Sequence, residues 1–111
     1  MSLQIQHKET KSVIAEGNPA ENTAIVFEGN WYFDPAKVDM SALKVTERTY
    51  TCPYKGVCFW IDLDTPELQA RNIGWVYNNP KPGFDMIKDR IGFYARDTSG
   101  TLAVRSVEIP A

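Results

Sequence analysis

A short loop carries a thiol, a phenol and an ammonium group close together, on Cys52, Tyr54 and Lys55. Pro53 and Gly56 restrict the backbone around them, which predicts an exposed loop of defined geometry rather than a flexible connection. The positive charge of Lys55 would favour the thiolate form of Cys52. This segment, called the CPYKG loop below (residues 52–56), is a candidate site for nucleophilic catalysis by Cys52 and Lys55, or for an anion held by Lys55 and loop amides.

The alternative is that the CPYKG loop is only architectural. Cysteine is often buried and lysine is usually solvated. A catalytic thiol needs a base beside it, and the single histidine, His7, lies in a charged opening stretch that predicts a solvated side chain. We therefore favour the architectural interpretation over catalysis by Cys52.

An aromatic ledge is predicted on a strand over residues 70–77, where Ile73, Trp75 and Tyr77 alternate and should share one face. The strand runs into a loop rich in asparagine and proline, which begins at Asn78. Ring faces beside an amide would suit a base, a sugar or another planar ligand. Alternatively, these rings fill the space between two sheets. The candidate ligand-binding residues are Tyr54, Lys55, Trp75, Tyr77 and Asn78.

Metal-ligating residues are few. Asp62 and Asp64 point the same way at a strand end, a spacing that could hold a divalent cation or supply an acid and a base, although a solvated strand end is the favoured interpretation. Cys52 and Cys58 with His7 fall short of the four ligands of a closed zinc site. The sequence predicts no metal site and no cofactor.

Strand signals dominate the elements that must position these residues. Short alternating runs at a spacing of roughly 8–12 residues predict a mainly β fold of about eight short strands with one or two single-turn helices. The clearest strand, residues 57–63, should place Val57, Phe59, Ile61 and Leu63 in the core and Cys58, Trp60 and Asp62 on a half-covered face. A tight reversal is predicted at Gly29 and Asn30, and a helix start at Asp34 and Pro35.

Composition indicates one domain over residues 1–111, with residues 1–11 as a partly ordered N-terminal extension. The chain is 43% hydrophobic and 23% charged, and its net charge of −2 argues against a duplex nucleic acid partner. No apolar run approaches the ~20 residues of a membrane span, and the opening residues lack the apolar centre of a signal peptide. We therefore expect a cytoplasmic protein without a membrane partner.

Four strings in the sequence resemble the family called domain of unknown function 427. They are EGNWYFDP (28–35), TCPYKG (51–56), WVY (75–77) with two prolines after it, and IGFY (91–94). The resemblance extends over about residues 12–105. The chain departs from the family where Phe33 and Pro35 are separated by Asp34 and where Ile91-Gly92 replaces a small aliphatic pair. The resemblance implies a small, mainly antiparallel domain whose two sheets lean together over a groove, a β-tent.

The same family is also labelled nucleotidyltransferase-like. Nucleotidyl transfer usually needs magnesium held by carboxylates and a cradle for phosphate, for which Asp62 and Asp64 are the candidates in this sequence. The positions that match the family's motifs, and that a shared site would use, are Cys52, Tyr54, Lys55, Trp75 and Tyr77.

Three functions remain as hypotheses from the sequence. The first is binding of a small planar or anionic ligand in a groove at the CPYKG loop, where Lys55 supplies charge, Tyr54 and Trp75 supply ring faces and Asn78 or Asn79 supplies an amide. The second is an enzyme that uses Cys52 and Lys55. The third is a protein-interaction or homodimerisation domain without a small ligand, whose exposed aromatic residues form the contact.

Overall fold

The computed structural model describes residues 1–106, so the end of the domain predicted over residues 1–111 lies outside it. The described residues contain nine strands: β1 (Ser2–His7), β2 (Val13–Gly17), β3 (Ala24–Phe27), β4 (Asn30–Phe33), β5 (Leu43–Cys52), β6 (Gly56–Asp64), β7 (Gln69–Val76), β8 (Ile91–Tyr94) and β9 (Thr101–Ser106). Single 3-10 turns cover Pro19–Glu21, Pro35–Lys37, Met40–Ala42 and Asp85–Ile87. The predicted mainly β fold is confirmed, with one more strand and more single-turn helices than expected. No helix among residues 1–106 has the length and apolar character needed to cross a membrane.

The strands form two antiparallel sheets. The larger has the order β3-β4-β8-β7-β6-β5 and the smaller the order β2-β1-β9. Residues 1–11, which the sequence sets apart as an extension, contain β1, the central strand of the smaller sheet. Leu3 and Ile5 of β1 are fully buried, so this strand contributes directly to the main core.

The prediction of a solvated His7 is wrong, because His7 is only 2% exposed. It follows Leu3 and Ile5 at the same period of two, which places it on the buried face of β1. Its Nδ1 accepts the backbone N–H groups of Glu9 and Thr10 at 3.1 and 3.2 Å, and Nε2 lies 2.7 Å from the Thr65 hydroxyl oxygen. His7 therefore holds a turn of the fold and is not available as a base for a thiol.

Alternation along the strands of the larger sheet divides its side chains between two apolar clusters. The main core combines residues of both sheets, among them Leu3, Ile5, Phe33, Ile61, Leu63 and Phe93. The second cluster lies on the opposite, outer face of the larger sheet and contains Tyr32, Cys58, Trp75, Tyr77 and Ile87. The 3-10 turn Asp85–Ile87 covers part of this outer face, since Ile87 is fully buried there.

A bulge in β7 changes the face of one predicted residue. Ile61 pairs with Gly74 and Leu63 with Ala70, so three residues of β7 oppose one residue of β6. Asn72 in the bulge has a left-handed backbone with φ of +58°. Ile73 consequently packs in the main core, whereas Trp75 and Tyr77 pack in the outer cluster. The prediction that all three share a face is therefore wrong for Ile73.

Two local predictions need further correction. The reversal between β3 and β4 uses Glu28 and Gly29, with φ of +51° and +76°, rather than Gly29 and Asn30. Both residues have positive φ, as a two-residue type I′ hairpin requires. Val57, expected in the core, is 44% exposed at the hairpin end of β6, and its neighbour Cys58 is 2% exposed. The helix start at Asp34 is confirmed, because its carboxylate accepts the Ala36 N–H at 3.0 Å.

Candidate functional site

A cavity of about 240 Å³ opens on the outer face of the larger sheet. Its walls are mostly aromatic side chains with polar tips, and they come from five adjacent strands and two loops. The lining residues are Asn30, Tyr32, Tyr50, Lys55, Cys58, Trp60, Trp75, Tyr77 and Tyr94. Because alternate residues of a strand point to the same side, each strand contributes its outward-facing residues to this one place.

The indole of Trp75 lies across β8 and forms the floor of the cavity. A Cβ atom at Gly92 would be 2.6 Å from Trp75 Nε1, so only glycine at this position leaves room for the ring. The rings of Tyr32, Trp60 and Tyr94 stand at 80°, 84° and 68° to the indole, with centroids 6.0, 6.3 and 4.9 Å from it. Such edge-to-face contacts are favourable for aromatic pairs and fix the orientation of the walls.

Lys55 places a positive charge in the cavity wall. Its Nζ donates to Glu28 Oε1 at 2.8 Å, and it lies 6.0 Å from the centroid of the Phe27 ring and 5.9 Å from that of Tyr77. Burial lowers the pKa of Lys55, but the hydrogen bond to the Glu28 carboxylate and the nearby groups of Tyr32, Glu28 and Cys52 together outweigh burial and leave the pKa above its ordinary value. Lys55 is therefore a fixed cation beside aromatic rings.

The CPYKG loop is held in place by the loop that follows β7. The Lys81 N–H donates to the Lys55 carbonyl at 2.9 Å, and Lys81 Nζ donates to the Pro53 carbonyl at 2.9 Å. Gly56 has φ of +102°, a conformation that side chains rarely adopt, and it begins β6. These contacts fix the backbone from which the Lys55 side chain extends to the cavity wall.

Tyr32, Cys58 and Tyr77 of the cavity lining remain uncharged at neutral pH. Burial raises the pKa of Tyr77, and the neighbouring Cys58 thiol raises it further. Burial likewise raises the pKa of Tyr32 and of Cys58, although the Trp75 indole N–H partly offsets the effect at Tyr32. The Lys55–Glu28 pair is thus the charged feature of an otherwise neutral, aromatic site.

Cys52 lies beside this cavity but does not line it. Its side chain is 9% exposed, and its Sγ accepts the Lys55 backbone N–H at 3.5 Å. That hydrogen bond is the main cause of a lowered pKa of Cys52, and the Tyr54 backbone N–H and the Lys55 charge act in the same direction. The expected influence of Lys55 on the thiol is therefore present, although it acts mainly through the backbone.

The five predicted ligand-binding residues fall into two groups. Lys55, Trp75 and Tyr77 line the cavity together. Tyr54 is 76% exposed outside it, and the Asn78 amide donates to the Asp89 carboxylate at 2.9 Å.

Sequence reasoning missed six lining residues as members of the site: Asn30, Tyr32, Tyr50, Cys58, Trp60 and Tyr94. Two pairs among them carry a usable signal, Asn30 with Tyr32 and Cys58 with Trp60. The two residues of each pair are separated by one position on the same strand, so their side chains lie on the same face of the sheet. Each pair therefore places polar or thiol groups together on that face. The sequence gives no comparable signal for Tyr50 or Tyr94, whose strands contribute one lining residue each.

Of the paired carboxylates, only the Asp62 side chain makes structural contacts among residues 1–106. Asp62 forms an ion pair with Arg48 and accepts the Asn72 backbone N–H at 2.9 Å, while Arg48 also donates to the Asn72 side-chain oxygen at 2.8 Å. Asp64 is exposed at the strand end. Throughout residues 1–106, no group of three or more His, Cys, Asp and Glu side chains is placed to hold a metal ion.

Comparisons with known proteins place the chain in a family without assigning an activity. No curated protein matches it at a significant level. A family model described as Domain of unknown function (DUF427) matches residues 4–104, which confirms the resemblance found in the motifs. Because this match covers nearly all of the 111 residues, the protein belongs to the DUF427 family.

Proposed function

We propose that the protein binds a small planar ligand, carrying an anionic or hydrogen-bond-accepting group, in the cavity above Trp75. The observation that carries this proposal is the Lys55 ammonium held in the wall of an aromatic cavity. Aromatic walls favour a flat molecule through stacking, and a single oriented cation favours an acceptor at one end of it.

The size of the cavity supports a ligand of one or two rings. A cavity of about 150 Å³ is enough to bind benzene, and this one measures about 240 Å³. The part of the ligand that enters the cavity is therefore no larger than a bicyclic heteroaromatic group.

The charge of the site supports the same ligand class. Aromatic walls alone would also suit a cation, but the ammonium of Lys55 lines the cavity, whereas its half-exposed partner Glu28 does not, and this ammonium would repel a second positive charge. The raised pKa values of Tyr32 and Tyr77 keep both phenols protonated, so they can donate hydrogen bonds. Neutral and anionic planar ligands are consequently favoured over cationic ones.

A thermal-shift screen followed by calorimetry tests the proposal. The panel contains nucleobases, nucleotides, aromatic carboxylates, sugar phosphates and divalent metals. A ligand at ~100 times its dissociation constant stabilises the fold by about 2.7 kcal/mol, which should raise the melting temperature by roughly 10 °C for a domain of this size. A shift confined to planar compounds would support the proposal.

Matched variants locate the binding. Trp75→Leu should remove the shift, and Lys55→Met should reduce it for compounds that carry an anionic group. Lys88→Met and Tyr54→Ala, which change an exposed lysine and an exposed aromatic residue outside the cavity lining, should retain it. A panel without any shift would contradict the proposal and favour the protein-interaction or homodimerisation hypothesis, which sedimentation at several concentrations would then test.

The lowered pKa of Cys52 favours a second candidate function, chemistry at its thiol. A thiolate is the nucleophilic form of cysteine, and Lys55 lies in the same loop. Within residues 1–106, however, the hydrogen bonds of His7 commit that side chain to Glu9, Thr10 and Thr65. The rate at which iodoacetamide labels Cys52 at different pH values tests this candidate separately from ligand binding.

A further inference from the structure

The two partners of the Lys55–Glu28 ion pair differ in their freedom to move. The Lys55 side chain is 14% exposed and lies against the rings of Phe27 and Tyr77, whereas the Glu28 side chain is 52% exposed. The backbone of Lys55 is also held by Lys81. Rearrangement of the pair would therefore move the Glu28 carboxylate into solvent and leave the Lys55 ammonium in the cavity wall.

Glu28 occupies a position that does not favour its residue type. Its φ of +51° in the turn between β3 and β4 is one that glycine or asparagine adopts more readily than glutamate. Its side-chain oxygen nevertheless accepts a hydrogen bond from the Lys55 ammonium, although the two residues are 27 positions apart in the sequence. A buried ammonium without a partner is costly, so Glu28 compensates Lys55 when the cavity holds no anion.

We propose that Glu28 is a displaceable internal carboxylate, which makes the cavity selective for planar ligands that carry a carboxylate of their own. This inference rests on the proposed function and specifies its ligand class as an aromatic carboxylate. The carboxylate of the ligand takes the place of Glu28 at the Lys55 Nζ, and Glu28 turns into solvent. The ammonium keeps a carboxylate partner in both states, and the aromatic ring of the ligand lies over Trp75.

Competition between Glu28 and the carboxylate of the ligand for Lys55 makes a specific prediction. If Glu28 competes with the ligand, removal of its charge tightens binding of a carboxylate, whereas a neutral ligand of the same shape gains nothing. Indole-3-carboxylate and indole-3-carboxamide are suitable probes, because they differ in charge and hardly in shape.

The experiment measures the dissociation constants of both probes by calorimetry for the wild type, Glu28→Gln and Lys55→Met. Because the Glu28 side chain is half exposed, its pairing with Lys55 contributes only modestly, so we expect Glu28→Gln to bind the carboxylate about threefold to fivefold more tightly. The carboxamide should bind both proteins equally. Lys55→Met should bind the two probes with equal affinity. Glu28→Gly, which removes the carboxylate and suits the positive φ of the turn, should behave like Glu28→Gln and exclude a folding defect.

The outcomes separate this inference from the proposed function. Unchanged or weaker binding of the carboxylate by both Glu28 variants, with the carboxamide still bound, would overturn displacement and leave the planar-ligand site intact. Failure of both probes and of every other planar compound to bind the wild type and Glu28→Gln would overturn both proposals.

Discussion

The indole N–H of Trp75 donates a hydrogen bond to the Tyr32 hydroxyl at 3.2 Å, across the intervening strand β8. Tyr32 and Trp75 both pair with Gly92, one from each side. The bond links β4 to β7 over a residue without a side chain and leaves the Tyr32 O–H free to donate into the cavity. The floor of the candidate site therefore depends on Gly92, a residue outside the cavity lining.

Gly92→Ala should disturb this floor. The added Cβ would stand 2.6 Å from Trp75 Nε1, so the indole must move, and overpacking of this kind typically costs about 1–3 kcal/mol. Urea unfolding measures the cost, and Trp75→Leu supplies the control. In a double-mutant cycle, Gly92→Ala should cost much less when the indole is absent. An equal cost in both backgrounds would show that the clash with Trp75 is not its cause.

Asp62→Asn should destabilise the protein at neutral pH. Burial raises the pKa of Asp62, but the Asn72 N–H and the Arg48 guanidinium outweigh it and hold the pKa below its ordinary value. The stabilisation is thus present above about pH 4 and is lost as the folded carboxylate becomes protonated at lower pH. We expect Asp62→Asn to lower the free energy of unfolding by about 1–3 kcal/mol near pH 7, and by less as the pH falls towards about pH 3. Urea unfolding of both proteins at each pH measures the difference. The exposed Asp64→Asn is the control, and a cost independent of pH would contradict the assignment.

The strands were predictable because their period of two is a local property. Ile61 and Leu63 alternate in sequence and are buried in the main core as expected. The bulge at Asn72 was not predictable in the same way, because it depends on contacts with two other strands. The Asn72 backbone N–H donates to Asp62 of β6, and the Asn72 side-chain oxygen accepts from Arg48 of β5. No run of adjacent residues contains that information.

Part of the candidate site was predictable for the same reason. Trp75 and Tyr77 alternate on one strand and lie beside Lys55, as the sequence indicates. Tyr32 joins them only because β8 lies between β4 and β7, an order that differs from the order in sequence. The partner of Lys55, Glu28, lies in a different hairpin, so its role depends on how the sheet is assembled.

Cys52 should react with iodoacetamide before Cys58. The Lys55 backbone N–H lowers the pKa of Cys52, whereas burial raises that of Cys58, whose side chain is 2% exposed. The rate of Cys52 labelling should follow a titration below the ordinary value of 9.0, since the thiolate is the reactive form. Mass spectrometry of Cys52→Ser and Cys58→Ser distinguishes the sites. Labelling of Cys58 first in the native protein would contradict this order.

Tyr77→Phe should make the protein more resistant to alkali. Burial raises the pKa of Tyr77 above its ordinary value of 10.0, so above about pH 10 the unfolded chain releases this phenolic proton while the folded chain retains it. The free energy of unfolding therefore falls with pH, by up to about 1.4 kcal/mol per pH unit for this one group. Urea unfolding between about pH 9 and about pH 11 should show a shallower fall for Tyr77→Phe than for the wild type. Tyr54→Phe is the control, because it removes a phenol that is 76% exposed and should leave the slope unchanged. Equal slopes in all three proteins would show that Tyr77 ionises as freely in the folded protein as in the unfolded chain.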